Sequence, residues 1–335
     1  MKNKLLLFAL LILATFSACR KNTGGEINVD YWPKIRHLTM DSLKTLTTNI
    51  PKADYYDLTF TDSLTGYAVT TGAIIKTING GLSWTSIPSP ANVPLKRVQF
   101  TDSQTGYIAG GIGNAGILLK TTNAGQTWTV INFGTTEPLT GMYFISNTTG
   151  FIIGDNLFSK TTDGGQTWTS VKEAGANGFH DIRFKNAQTG IATAAKGMYF
   201  KTTNGGNTWL KVQTTTTNNL GNVYFTPERT LINKSADTLI NVDANMAITK
   251  IDPAIFKLHF VNDNDAVGIG NKFGTGFWPN GMVFVTNRSS WTTYQMKGFE
   301  PSQVFNFTSI AAMNDYKIMI IGTGLNDTKV MTINR

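Results

Sequence analysis

The chain has 335 residues, 41% of them hydrophobic and 15% charged, with a net charge of +8. That excess is spread without a basic run, so a solvated surface accounts for it and nucleic acid is not an expected partner. The one cysteine, Cys19, excludes an intramolecular disulfide, and stability has to come from packing.

At the N-terminus, Met1-Lys-Asn-Lys precedes an apolar run from Leu5 to Leu13 and then Ala14-Thr-Phe-Ser-Ala-Cys19. This pattern predicts a secretory signal, because an apolar run of about nine residues is too short to span a bilayer. Small residues before Cys19 look like a bacterial lipobox, although Phe16 stands where Leu is more usual. The expected organisation is a signal peptide over 1–18, a lipid-anchor tether and N-terminal segment over 19–41, and one domain over 42–335. Lipidation of Cys19 would hold the mature chain on a membrane of the bacterial cell envelope, on its periplasmic side or at the cell surface.

From residue 58 onward one landmark recurs. Phe60, Phe100, Phe144 and Phe184 each end an apolar–polar alternation and are followed, six residues on, by Gly66, Gly106, Gly150 and Gly190. The residues two before each Phe (Leu58, Val98, Met142, Ile182) are apolar, the period-2 mark of a strand face. Each Gly opens a second strand, with Tyr67, Tyr107, Phe151 or Ile191 next.

A second landmark follows each of these. The segments Thr77 to Trp84, Thr121 to Trp128, Thr161 to Trp168 and Thr202 to Trp209 share the pattern Thr-x-Asn/Asp-Gly/Ala-Gly-x-Ser/Thr-Trp. In chain order the key residues are Asn79, Gly81 and Trp84; Asn123, Gly125 and Trp128; Asp163, Gly165 and Trp168; and Asn204, Gly206 and Trp209. Alternating residues lie before each copy and strand formers after it, which predicts a hairpin closed by a tight turn. Asn or Asp caps nearby amides and Gly supplies positive φ. The motif is identified as an Asp-box, or bacterial neuraminidase repeat, and its expected role is structural.

The four Trp residues are 44, 40 and 41 residues apart, and each lies 16 residues before the next Phe of the series, the last being Phe225. A fixed period near 40 with four short strands per unit predicts propeller blades. The ruler extends to a fifth unit at Phe225 with a decayed turn near Asp243, a sixth at Phe260 with a shortened turn ending at Trp291, and a seventh at Phe307, for which Met313 is the rival phase. Counting back from Phe60 reaches Lys44. The segment 42–50 is therefore expected to supply the fourth strand of the last unit, so that the chain ends close the ring. The expected fold is all-β: a seven-bladed β-propeller of four-stranded antiparallel blades, closed by an N-terminal strand.

The search for chemistry returns little. His37, His180 and His259 have no metal-ligand spacing, so neither a metal nor a cofactor is expected. Glycoside hydrolysis needs positioned carboxylates, and a sialidase also needs a set of arginines. Arg97 and Arg183 lie near first strands, but at different phases, three residues and one residue before their Phe. The starts of the first strands and the loops joining second to third strands share the ring face opposite the Asp-boxes. There the reading places a ligand-binding set: Tyr55, Tyr56, Lys96, Arg97, Phe179, His180, Asp181, Lys257 and Trp278.

The signal, the period near 40, the Phe-x5-Gly strand starts and the Asp-boxes together resemble the photosystem II stability/assembly factor-like propellers, clearly over residues 55 to 212 and faintly from 213 onward. The resemblance implies a non-enzymatic platform for binding or assembly, here a lipid-anchored monomer with a protein or glycan ligand. The alternative is a glycoside hydrolase, sialidase-like or endoglucanase-like, or a lyase with unrecognised carboxylates.

Overall fold

The Phe-x5-Gly pattern is a packing device between a strand end and the start of the next strand. In each of the first four repeats the Phe pairs with its Gly across an antiparallel ladder, as in Phe60 with Gly66 and Phe100 with Gly106. A methyl group built on Gly66 would fall 2.6 Å from the Phe60 ring, and one on Gly106 would fall 2.8 Å from the Phe100 ring. Glycine stands there because an aromatic ring lies over its backbone.

The computed structural model describes residues 43–171, 177–235, 238–243, 247–250, 255–260, 265–273, 279–287, 290–294, 305–314, 317–324 and 327–334. All of these fall within one unit, Ile35–Arg335. Cys19, the signal and tether segments and Trp278 lie outside the described residues. Among the described residues every regular element is a strand.

Five four-stranded antiparallel sheets form blades 1 to 5 of a propeller. Their first strands are Asp57–Phe60, Leu95–Phe100, Leu139–Phe144, Phe179–Phe184 and Val223–Phe225. A sixth sheet has eight strands. Half of it runs Ile255–Phe260, Asp265–Phe273, Pro279–Asn287 and Ser290–Tyr294; the closing half runs Phe305–Asn314, Lys317–Gly324, Thr328–Asn334 and Leu43–Leu46. Among the described residues the sheets therefore number six, not the expected seven. The last two expected units are fused by a parallel bridge between Asn280 and Phe305.

The N-terminal strand closes the ring as the ruler predicts. Leu43–Leu46 pairs antiparallel with the C-terminal strand, Leu43 opposite Ile333 and Leu46 opposite Val330. The closing half then packs on blade 1 through a core of Met313, Met319, Ile321 and Val330 against Tyr55, Leu58, Ile75 and Trp84. The expected phase at Phe307 is corrected. Phe307 pairs with Gly322, far along the second strand, whereas Ala312 pairs with Ile318 at its start. Met313 lies one residue beyond that pair, so the rival phase describes this strand. The 16-residue ruler fails here because register follows local pairing, and this ladder carries two irregularities.

Aromatic stacking carries the ring from blade to blade. Tyr67 of blade 1 stacks on Phe100 of blade 2 at 4.2 Å between centroids, Tyr107 on Phe144 at 3.5 Å and Phe151 on Phe184 at 5.1 Å. Trp128, Trp168 and Trp209 then meet Phe100, Phe144 and Phe184 edge-on at 6.0, 6.3 and 5.8 Å. Each Phe thus covers its own glycine, takes a ring from the preceding blade and an indole from its own hairpin. Arrangements of this kind add stability beyond area burial.

Candidate functional site

The hairpin turns at the four intact motifs are built alike. The Thr hydroxyl accepts the second Gly amide, from Gly81 to Thr77 at 2.9 Å and from Gly206 to Thr202 at 2.9 Å. The Asn or Asp oxygen accepts the amide four residues on, from Ser83 to Asn79 at 2.9 Å and from Thr167 to Asp163 at 2.9 Å. Asp163 also accepts the Thr167 hydroxyl, and these bonds hold its carboxyl down at about 2. The preceding blade reinforces three of the turns. Lys76 donates to Ala124 O at 2.7 Å, Lys120 to Gly164 O at 2.9 Å and Lys160 to Gly205 O at 3.1 Å. With both side chains and neighbouring blades satisfied in this way, the turns act as braces.

Turn contacts also define the two faces. Gly80 N donates to Leu64 O and Ala124 N to Gln104 O, so each hairpin turn shares a face with the turn between first and second strands. The first strands begin at the other face. Counting back from the strand-ending Phe, the residues three before it are Asp57, Arg97, Gly141, Asp181, Asn222 and Lys257, and those one before it include Gln99, Tyr143, Arg183 and Tyr224. Positions two apart in a strand share a side, and the structure gathers several of these residues into one charged cluster.

Asp181 is the hub. Its side chain is 2% exposed and meets Arg183 Nε at 3.3 Å and Arg97 Nη2 at 3.8 Å. Its Oδ2 also accepts Val223 N of blade 5 at 3.0 Å. Asp57 plays a parallel role, accepting Val98 N of blade 2 at 3.1 Å and meeting Lys257 Nζ at 3.5 Å. Lys257 further donates to Tyr56 O at 2.6 Å, so a residue 201 positions away ties the sixth sheet to blade 1. Burial pulls the Lys257 ammonium down to about 8; Asp57 opposes that shift, and the positive charges of Arg97 and Arg183 add to it. Asp181 raises the Arg183 guanidinium above its usual value. Tyr224 is pushed up to about 12, chiefly by burial. Three cations against two carboxylates leave this cluster with a positive excess.

The other expected face residues divide. Tyr55 is 1% exposed, its hydroxyl bonded to Pro51 O, and Phe179 is 1% exposed between Phe158 and Phe200. Both are core residues rather than ligand contacts, because the strand begins inside the interface between blades. Tyr56 and Lys96 are half-buried, the Tyr56 hydroxyl 3.2 Å from that of Thr71. His180 is half-buried, and burial lowers its pKa against the pull of Asp155 and Asp181. Arg183 was set aside in the sequence for its phase, yet it joins Arg97 on one carboxylate. The signal was the shared side of alternate strand positions, which unequal counts from the Phe concealed.

The photosynthesis system II assembly factor YCF48 family model matches residues 37–231, more than half of the chain. The chain belongs to this family. Among solved structures, a YCF48 bound to D1 peptide is similar at TM-score 0.69 and 18% identity, covering 91% of this chain and 100% of that one. YCF48 from Cyanidioschyzon merolae is similar at TM-score 0.65 and 14% identity, covering 88% of this chain and 98% of that one. A streptogramin B lyase structure is similar at TM-score 0.66 and 12% identity, covering 88% and 97%. At these identities the likeness is one of fold. No curated protein matches the chain.

Proposed function

We propose that this chain is a non-enzymatic binding or assembly platform that holds a protein or glycan ligand on the ring face where the first strands begin. The single observation carrying this reading is the cluster of Arg97, Arg183 and Lys257 around Asp57 and Asp181. Both carboxylates accept a backbone amide from another blade and face a cation. A glycosidase acid has to be held protonated, and its partner has to be open to a sugar or a water; carboxylates paired in this way serve cross-linking and recognition instead. Membership of the YCF48 family supports the platform reading, and the D1 peptide in a similar structure supports a peptide-like ligand. The lyase among the similar folds leaves function to the site rather than the fold.

In the same reading the sixth sheet counts as two blade units, making seven, and the braced hairpin turns are Asp-boxes. Lipid on Cys19 tethers the chain in the bacterial envelope as a monomer. The test is affinity capture of the full chain from solubilised envelope, compared with an Arg183→Glu, Lys257→Glu variant of equal thermal stability. A co-purifying protein or glycan that the variant loses supports the proposal. Ligand capture indifferent to both charges, or glycoside turnover abolished by Asp57→Asn, overturns it.

A further inference from the structure

We infer that the hairpin-turn side of blade 1 docks onto a lipid surface. Three aliphatic side chains stand in solvent there: Leu64 at 55%, Ile78 at 69% and Leu82 at 59% exposure. Ile78 and Leu82 lie on one hairpin turn, and Leu64 lies on the turn bonded to it through Gly80 N and Leu64 O. The repeats provide an internal control. Where blade 1 has Leu64, blades 2 to 4 have Gln104, Thr148 and Gln188; where it has Ile78 they have Thr, and where it has Leu82 they have Gln or Asn. The polar residues satisfy the same turn geometry, so the brace itself does not require apolar side chains. Among the described residues the other large exposed apolar side chains, Ile112, Val130 and Leu210, are scattered over blades 2 and 4. A cluster of this kind marks an interaction site rather than ordinary surface composition.

The path of the chain selects the occupant. Leu43 opens the closing strand opposite Ile333, next to the Lys317–Asn334 pair that begins the second strand of that half. That end carries the turn between first and second strands, so the chain enters the domain on the hairpin-turn side, beside blade 1. Upstream lie the apolar run from Leu5 to Leu13 and Cys19. A membrane tether therefore presents blade 1 to the bilayer and turns the Asp181 cluster away from it. Three side chains cover far less area than a stable protein interface buries, but a tether supplies the effective concentration that makes shallow insertion sufficient. Trp, Phe or Leu on one face is how interfacial segments engage lipid.

This inference rests on the tethered part of the proposed function. The test uses the full chain purified with its lipid on Cys19, whose sulfur is then a thioether and takes no label, and one new cysteine, Leu82→Cys on blade 1 or Gln166→Cys on blade 3, carrying an environment-sensitive fluorophore. The vesicles contain phosphatidylethanolamine and phosphatidylglycerol with a spin-labelled acyl chain. The expected result is quenching at position 82 and none at 166, reduced at least about twofold when Leu64→Gln and Ile78→Thr are added, since each removes apolar area from the bilayer. A chain that stays with the vesicles while position 82 is unquenched overturns the docking surface alone. A chain that does not associate with vesicles overturns the tether and the surface together. Self-association through position 82 in solution, with no quenching, assigns the patch to a second copy and also overturns it.

Discussion

Arg97 on blade 2 reaches Asp181 on blade 4, with 3.8 Å between Nη2 and Oδ1, although blade 3 lies between them in the ring. The intervening strand carries Gly141 at the matching position, and a side chain there would meet Ile153 at 2.9 Å. The pair links the first strands of alternate blades. Asp181 also accepts Val223 N of blade 5, so one carboxylate gathers groups from blades 2, 4 and 5.

Asp181→Asn should therefore cost about 2–4 kcal/mol, because two guanidinium groups would lose the charge that compensates their desolvation. Chemical denaturation of the variant measures this. Arg97→Gln should cost less, since Arg183 and Val223 N still engage the carboxylate. Equal losses would mean that the hub is Arg97 rather than Asp181.

Lys257 should give the protein a measurable alkaline stability slope. Its ammonium titrates at about 8 in the folded state against 10.5 for an ordinary lysine. Between those values the unfolded chain binds the extra proton, so stability rises with pH. The contribution is fully present above about 10.5 and is lost as pH falls through about 8; it amounts to roughly 3 kcal/mol at most. Melting curves from pH 7 to 11 should show the rise in the wild type, and Lys257→Met should flatten it.

Gly106→Ala should destabilise by about 1–3 kcal/mol, the range for forcing an extra methyl into a filled site. The added carbon would fall 2.8 Å from the Phe100 ring. In a Phe100→Leu background the same substitution should cost less, and the difference measures the coupling between ring and glycine.

Ala124→Gly should stabilise. Ala124 has φ of 54°, the left-handed region, at the position where the other three intact turns carry Gly80, Gly164 and Gly205. Relief of that strain is offset in part by a looser unfolded chain, leaving a gain of about 0.5–1 kcal/mol in thermal or chemical denaturation.

Deletion of Leu43–Leu46 should leave the edge of Thr328–Asn334 unpaired. A melting temperature lower by several degrees, with a greater tendency to aggregate, is the expected outcome. An unchanged melting temperature would show that the closing strand contributes nothing to the ring.

The local features were legible because their causes are local. The Phe-x5-Gly pairs, the hairpin turns and the position of the closing strand follow from side-chain alternation, positive-φ glycines and a constant period, all written within about 40 residues of chain. Where the repeat decays, the same logic loses its anchor: Phe307 was expected at the strand end, yet pairing places Ala312 and Met313 there. The charged cluster is a different case. Asp57, Arg97, Asp181, Arg183 and Lys257 are each unremarkable in sequence, and Arg183 stands out of phase with Arg97. Only closure of the ring brings Lys257 to Asp57, and only the convergence of first strands from alternate blades brings Arg97 to Asp181. Repetition in sequence therefore determined the blades, while contacts between blades far apart in the chain were decided by how the strands converge around the axis.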